Sequence, residues 1–166
     1  MKYTLQLLSL FLLMTSQAHA SLMPCAKIYL SDAKKGHYEL TAEKNDESAA
    51  LLRYRLMGDN LWVTHMSTEP WFRGHGLQHD LARDMIARIA HESKISPRSI
   101  RLHLTDTNFK ATGLTVNTDD LNYETCKKGV AKSPAFKVFS RLGYTVISKC
   151  YQEPFMEFIE VWFERE

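Results

Sequence analysis

Residues 62–89 read WVTHMSTEPWFRGHGLQHDLARDMIARI, and the fold turns on this run. Trp62, Val63, Thr64, His65 and Met66 are mostly β-branched, aromatic or apolar, which suits a buried strand. Pro70 lacks a backbone N–H and ends strand pairing. Gly74 and Gly76 permit a turn with positive φ and close approach of a ligand to the backbone. From Leu77 the apolar period becomes helical. Leu77, Leu81, Met85 and Ile89 recur four apart, Ala82, Ile86 and Ala90 widen the stripe, and Asp80, Arg83 and Asp84 fall on the other side. A strand, a glycine turn and a helix joined without a spacer leave the first helical amides unpaired and aligned with the helix dipole. That arrangement suits a phosphate. On the glycines alone, a tight strand-to-helix connection explains the run at least as well.

The flanking residues carry a family resemblance. Thr68-Glu69-Pro70-Trp71-Phe72-Arg73-Gly74-His75-Gly76-Leu77-Gln78 resembles the V-x-P-x-x-R-G-x-G-x-G/A signature of the GNAT N-acetyltransferases. Thr68 stands in place of the valine and Gln78 in place of the last small residue. Downstream, Ala135-Phe136-Lys137-Val138-Phe139-Ser140-Arg141-Leu142-Gly143-Tyr144 is similar to the family's A-x-x-x-Y-x-K-x-G-F helix, with Phe139 at the tyrosine position, Arg141 at the lysine and Tyr144 at the phenylalanine. The two motifs, with the strands between and after them, cover residues 51–166.

The resemblance implies an α/β (α+β) fold of GNAT-like acyl-CoA N-acyltransferase type: a mixed central sheet with parallel strands splayed at the acyl-CoA site. It implies acetyl-CoA as acyl donor and an amine as acceptor, a small molecule or a protein. It places the acyl and pantetheine portions along the Met66 and Thr68 backbone. It places the pyrophosphate on the amides of Arg73, Gly74, His75, Gly76, Leu77 and Gln78, where the Gln78 side chain is expected to crowd the site.

Acyl transfer to an amine also needs a route for the ammonium proton and a group that stabilises or protonates the leaving thiolate. Glu69, at the end of the strand, is a candidate base. So are His65 and His103 on adjacent predicted strands; His103 falls where some GNAT relatives carry a glutamate, and histidine titrates in the useful range. A solvated loop carboxylate and hydrogen-bonded sheet histidines are the plainer alternatives. In the family a tyrosine of the second helix often protonates the thiolate. Phe139 cannot, so Tyr144 or Tyr123 takes that role, or water does, or catalysis is lost. Core packing accounts for Phe139. His75 and His79 lie four apart on one helical face, but no third ligand is in sight and no metal is expected.

The rest of the chain sets the context. Residues 1–20 read as a cleaved leader: Lys2, an apolar run over 5–14, and an A-x-A site at Ala18-His19-Ala20. The apolar run is too short for a confident membrane span, so no stable span is expected after cleavage; a buried helix is the alternative. The mature chain is expected to begin at Ser21 and to be exported, periplasmic or secreted. Residues 21–166 then form one GNAT-like domain. With 21 Lys+Arg against 19 Asp+Glu, nothing strongly basic points to nucleic acid. In an oxidising compartment two of the 3 cysteines can pair, Cys126 with Cys150 first, against three separate thiols.

Strands are expected over 26–30, 38–43 and 51–57. A Gly58-Asp59-Asn60 hairpin then leads into the strand of residues 61–66. A strand over 100–105 should pair parallel with it. Residues 107–132 read as an insertion loop, 135–142 as a short helix stopped by Gly143, and 144–151 and 156–163 as two last strands. The tight turns before residue 51 leave little room for the helices that GNAT proteins usually carry after the first strand. Two other functions stay open: a non-catalytic exported GNAT-fold protein that binds a ligand or partner, and a small disulfide-stabilised envelope protein.

Overall fold

In a computed structural model, which describes residues 27–32, 36–105, 122–152 and 158–166, the strands are β1 (Lys27–Asp32), β2 (His37–Lys44), β3 (Glu47–Met57), β4 (Asn60–Thr68), β5 (Ser99–Thr105), β6 (Val146–Gln152) and β7 (Phe158–Glu164). They form one sheet in the order β1-β2-β3-β4-β5-β7-β6. Every neighbouring pair is antiparallel except β4 with β5, which is parallel. The first four strands are a meander. Asn45 and Asp46, both at positive φ, close one hairpin, and Gly58 at φ 67° helps close the next.

The three α-helices among the described residues are α1 (Leu77–Ser93), α2 (Tyr123–Val130) and α3 (Pro134–Ser140), and all cover the same face of the sheet. The fourfold period of α1 buries Leu77, Leu81, Ala82, Met85 and Ile89. Those side chains meet the inward residues of the strands, among them Leu40, Leu52, Leu61, Ile100, Leu104 and Val161. Tyr54 sits on this face, stacked on Tyr38 at 5.2 Å. Burial and then the Glu92 carboxylate of α1 push its phenol up to about 12. Ser133 caps α3 by accepting from the Phe136 amide, with Pro134 in the first turn. Phe136 and Phe139 then pack on Phe163, at 5.4 and 6.0 Å between ring centroids.

The insertion expected over 107–132 is partly helical. Asn122 caps α2 by accepting from the Thr125 amide, and Cys126 on its buried side is bonded to Cys150 of β6, with Cα atoms 5.8 Å apart. The helical signal here is only two apolar positions, Cys126 and Val130, four apart among polar neighbours. Residues 106–121, the expected leader and Cys25 lie outside the described residues. The strand expected from Tyr144 starts at Val146, because the Tyr144 amide closes α3 on the Phe139 carbonyl and its side chain enters the core.

Candidate active site

The parallel ladder between β4 and β5 is short. Residues 60–63 pair with 99–102, although β4 continues to Thr68 and β5 to Thr105. The parting coincides with a bulge: Tyr54 faces Val63 and Arg53 faces His65, leaving Thr64 as an extra residue on β4. A bulge bends its strand and raises the local twist, and here it carries β4 away from β5. Beyond it β4 stays paired with β3 alone. Glu69 donates to the Ala49 carbonyl at 3.0 Å, so by antiparallel alternation the Ser67 backbone also faces β3. The N–H and C=O of Met66 and Thr68 therefore point into the gap.

The glycine turn closes the open end of this gap. Pro70–Phe72 form one 3-10 turn, and Gly74 and Gly76 lie at φ 82° and 77°. The first helical hydrogen bond runs from Asp80 to the Gly76 carbonyl at 3.1 Å. The amides of residues 74–79 donate to no backbone carbonyl among the described residues. A Cβ built on Gly74 or Gly76 would meet nothing within 4 Å, so open space lies over these amides. Unpaired amides at a helix start, backed by the dipole and facing open space, fit a pyrophosphate.

Arg73 reaches back along the gap, its Nε donating to the Thr68 carbonyl at 3.3 Å. Gln78 does not fill the turn. Its Nε2 donates to the Leu51 carbonyl and Thr68 Oγ1, each at 3.2 Å, and to the Ser67 carbonyl. The carbonyl acceptors fix which end of the amide is nitrogen, and the side chain lies against the β3–β4 pair.

Of the proton-transfer candidates, Glu69 and His103 lie at the two ends of the gap, His103 where the strands part and Glu69 just past the end of β4. Glu69 is exposed at the end of β4. His103 is the first β5 residue beyond the ladder. Its ring stacks on Phe158 at 4.0 Å, and its Nε2 lies 3.5 Å from a Glu160 oxygen. His65 is exposed opposite Arg53.

Tyr144 goes elsewhere. It is fully buried, and its hydroxyl donates at 2.8 Å to the Pro97 carbonyl, just before β5 begins and at the end of the sheet away from the gap. Burial raises its pKa, against the lowering influence of Arg165. Tyr123 donates to the Ile147 carbonyl, and Phe139 is wholly in the core.

The sequence reading missed Glu160. Its side chain is only 4% exposed, yet it is the hub of the helix-free face. It accepts from Arg101, from the Tyr151 hydroxyl at 2.7 Å and from Trp162 Nε1 at 2.7 Å. Burial works against ionisation, but the Trp162, Tyr151 and Arg101 hydrogen bonds and the Arg101 charge outweigh it and hold the carboxyl at about 2. A carboxylate between Ile159 and Val161, in a strand otherwise apolar from Phe158 to Phe163, was the available signal.

No protein-family model and no curated protein matches the sequence. Solved structures do match. The ribosomal-protein-S18-alanine N-acetyltransferase from Escherichia coli is similar over 80% of this chain and 70% of its own, at 11% identity and a TM-score of 0.51. The aminoglycoside 6'-N-acetyltransferase from Enterococcus faecium is similar over 79% of this chain and 74% of its own, at 16% identity and a TM-score of 0.54. An aminoglycoside 6'-N-acetyltransferase complexed with coenzyme A is similar over 78% of this chain and 72% of its own, at 14% identity and a TM-score of 0.56. At such identities the likeness speaks for architecture, and the architecture is the mixed, splayed sheet of the GNAT acetyltransferase fold.

Proposed function

We propose that the protein is an exported N-acetyltransferase that moves an acetyl group from acetyl-CoA to an amine. The observation that carries this reading is the gap between β4 and β5, with the outward backbone of Met66 and Thr68 running into the open amides of residues 74–79. The bound thioester would supply the acyl group. Met66 and Thr68 would hold the pantetheine arm by its amides. Gly74, His75, Gly76, Leu77 and Gln78 would hold the pyrophosphate through their backbone, while Arg73, whose own amide is bonded to the Pro70 carbonyl, would add only the charge of its guanidinium. Glu69 or His103, both beside the gap, would take the ammonium proton. The amine nitrogen then bonds to the acyl carbon, the C–S bond breaks, and the thiolate takes a proton. With Tyr144 in the core, water is the donor in this reading. Export is inferred from the leader-like residues 1–20, and the Cys126–Cys150 bond supports an oxidising compartment.

A second reading has its own observation. Phe139 is buried, and the Tyr123 and Tyr144 hydroxyls are both given to backbone carbonyls. A GNAT-fold protein that binds a ligand without turning it over fits that arrangement.

Titration calorimetry of the purified protein with acetyl-CoA and CoA, alongside a thiol-release assay, separates the two. Binding with turnover supports the enzyme, and binding without turnover supports the second reading. Gly76→Asp puts bulk and negative charge where phosphates would sit and should abolish acetyl-CoA binding. Arg73→Ala should weaken it by about 1–3 kcal/mol. No binding by the wild type at millimolar acetyl-CoA sinks the acyltransferase, and equal binding by folded Gly76→Asp moves the site elsewhere.

A further inference from the structure

The helix-free face carries a row of cross-strand neighbours. Arg55 faces Trp62, Trp62 faces Arg101, Arg101 faces Trp162, and Trp162 faces Lys149, across β3, β4, β5, β7 and β6. Each cation lies over the ring beside it: Arg55 at 5.8 Å and Arg101 at 4.8 Å from Trp62, Lys149 at 4.2 Å from Trp162. Such stacking orients the cations without using their N–H groups, of which Arg101 gives one to Glu160. Among the described residues no carboxylate pairs with Arg55 or Lys149. Glu160 is committed to Arg101, Tyr151 and Trp162.

Two buried donors in the row have no acceptor among the described residues: Trp62 Nε1 and Arg101 Nε. Orphaned buried donors are rare, and each calls for a partner. Here both are donors, they lie on paired residues, and a second cation, Arg55, sits over the same indole. A negatively charged acceptor group is the chemistry that would serve all three.

The middle of this row lies where the gap begins. The Trp62–Arg101 pair lies one step before the last paired residues of β4 and β5. The other face is closed by Leu81, Ala82 and Met85 of α1, all fully buried, so among the described residues the helix-free face, which carries the row, is the side left to an acceptor.

We infer that the acceptor is an amine that also carries an anionic group, carboxylate or phosphate, seated on Trp62, Arg101 and Arg55 while its nitrogen lies in the gap. This rests on the acetyltransferase reading above. Trp62 and Met66 are four strand residues apart, about 13 Å at ~3.3 Å per residue if β4 were regular and less across the bulge at Thr64, so the anion and the nitrogen should be separated by roughly 10 Å. A polycationic amine is disfavoured, since it would meet Arg55 and find Glu160 already occupied.

The test uses the full-length protein with acetyl-CoA and four acceptors: 8-aminooctanoate, 8-aminooctyl phosphate, n-octylamine and spermidine. The two anionic amines should be acetylated with higher kcat/KM than n-octylamine, spermidine should be the poorest, and the first two decide between carboxylate and phosphate. Arg55→Gln and Trp62→Phe, which keeps the ring but removes the N–H, should each cut the preference for an anionic amine over n-octylamine about ten-fold. Preference for spermidine, or a ratio unmoved in both folded variants, overturns the inference. Should no acceptor be turned over, the acetyltransferase reading fails on its own account. Calorimetry with 8-aminooctanoate and 8-aminooctyl phosphate then decides the anion site: binding weakened in both variants upholds it, and absence of binding by the wild type removes it.

Discussion

The two faces of the sheet are held by different physics. Under the helices, Leu52, Leu61, Ile100, Ile159 and Phe163 are fully buried and pack on the apolar sides of α1 and α3. On the other face, Glu160 gathers Arg101, Tyr151 and Trp162, while cations lie over indoles. The first face is stabilised by burial, which is non-directional and insensitive to pH. The second is stabilised by directed hydrogen bonds around one charge, which fail together if the hub is lost. The two faces thus divide the labour: the apolar one supplies stability, and the polar one is kept half open and chemically addressable beside the gap.

Removing apolar volume should break the comparison most strongly. Phe163→Ala deletes a fully buried ring that touches Phe136 and Phe139. It should cost about 3–5 kcal/mol in urea-induced unfolding. A loss near 1 kcal/mol would show that this face is not the main source of stability.

The Cys126–Cys150 bond ties α2 to β6 across a sequence separation of 24. Replacing both cysteines by serine should cost about 3 kcal/mol by the chain-entropy argument. Unchanged unfolding of the double variant under non-reducing conditions would mean that the bond contributes nothing.

The polar face can be sharpened by pH. The folded pKa of Glu160, about 2, lies below its ordinary 4.5. Its contribution is therefore complete above pH 4.5 and is lost as pH falls toward 2, by up to ~3 kcal/mol. Glu160→Gln keeps the shape but not the charge. It should cost about 1–3 kcal/mol at neutral pH and flatten the stability curve in that window. A variant that keeps the full acid dependence would place the responsible carboxylate elsewhere. The smallest effect is expected at Trp71, 82% exposed in the turn after β4: Trp71→Ala should change stability by no more than ~0.5 kcal/mol.

The same contrast explains which features are legible in the sequence. Periodicity reveals the strands and α1, because burial on one face imprints a period on the chain; turn residues reveal the hairpins and the glycine turn, and the helical crossover reveals the parallel β4–β5 pairing. It does not reveal the Glu160 hub, whose partners come from β5, β6 and β7 and share no local pattern. Nor does it place Tyr144, where a motif position suggests chemistry and the fold uses the ring for packing. Gln78 shows a third limit: a side chain in a motif is free to fold back onto the strands, and spacing does not reveal its rotamer.

The extra residue at Thr64 has a consequence for how a guest is received. Upstream of it β4 is in phase with both neighbours; downstream it is in phase with β3 only. Two parallel strands thrown out of step in this way cannot zip together, so the separation at Met66 and Thr68 is built in rather than induced. Association then needs no strand opening, and the cost of exposing those backbone groups is met when the chain folds. Deleting Thr64 should let β4 and β5 re-register. The measurable sign would be added amide-exchange protection at Met66 and Thr68, together with loss of acetyl-CoA binding.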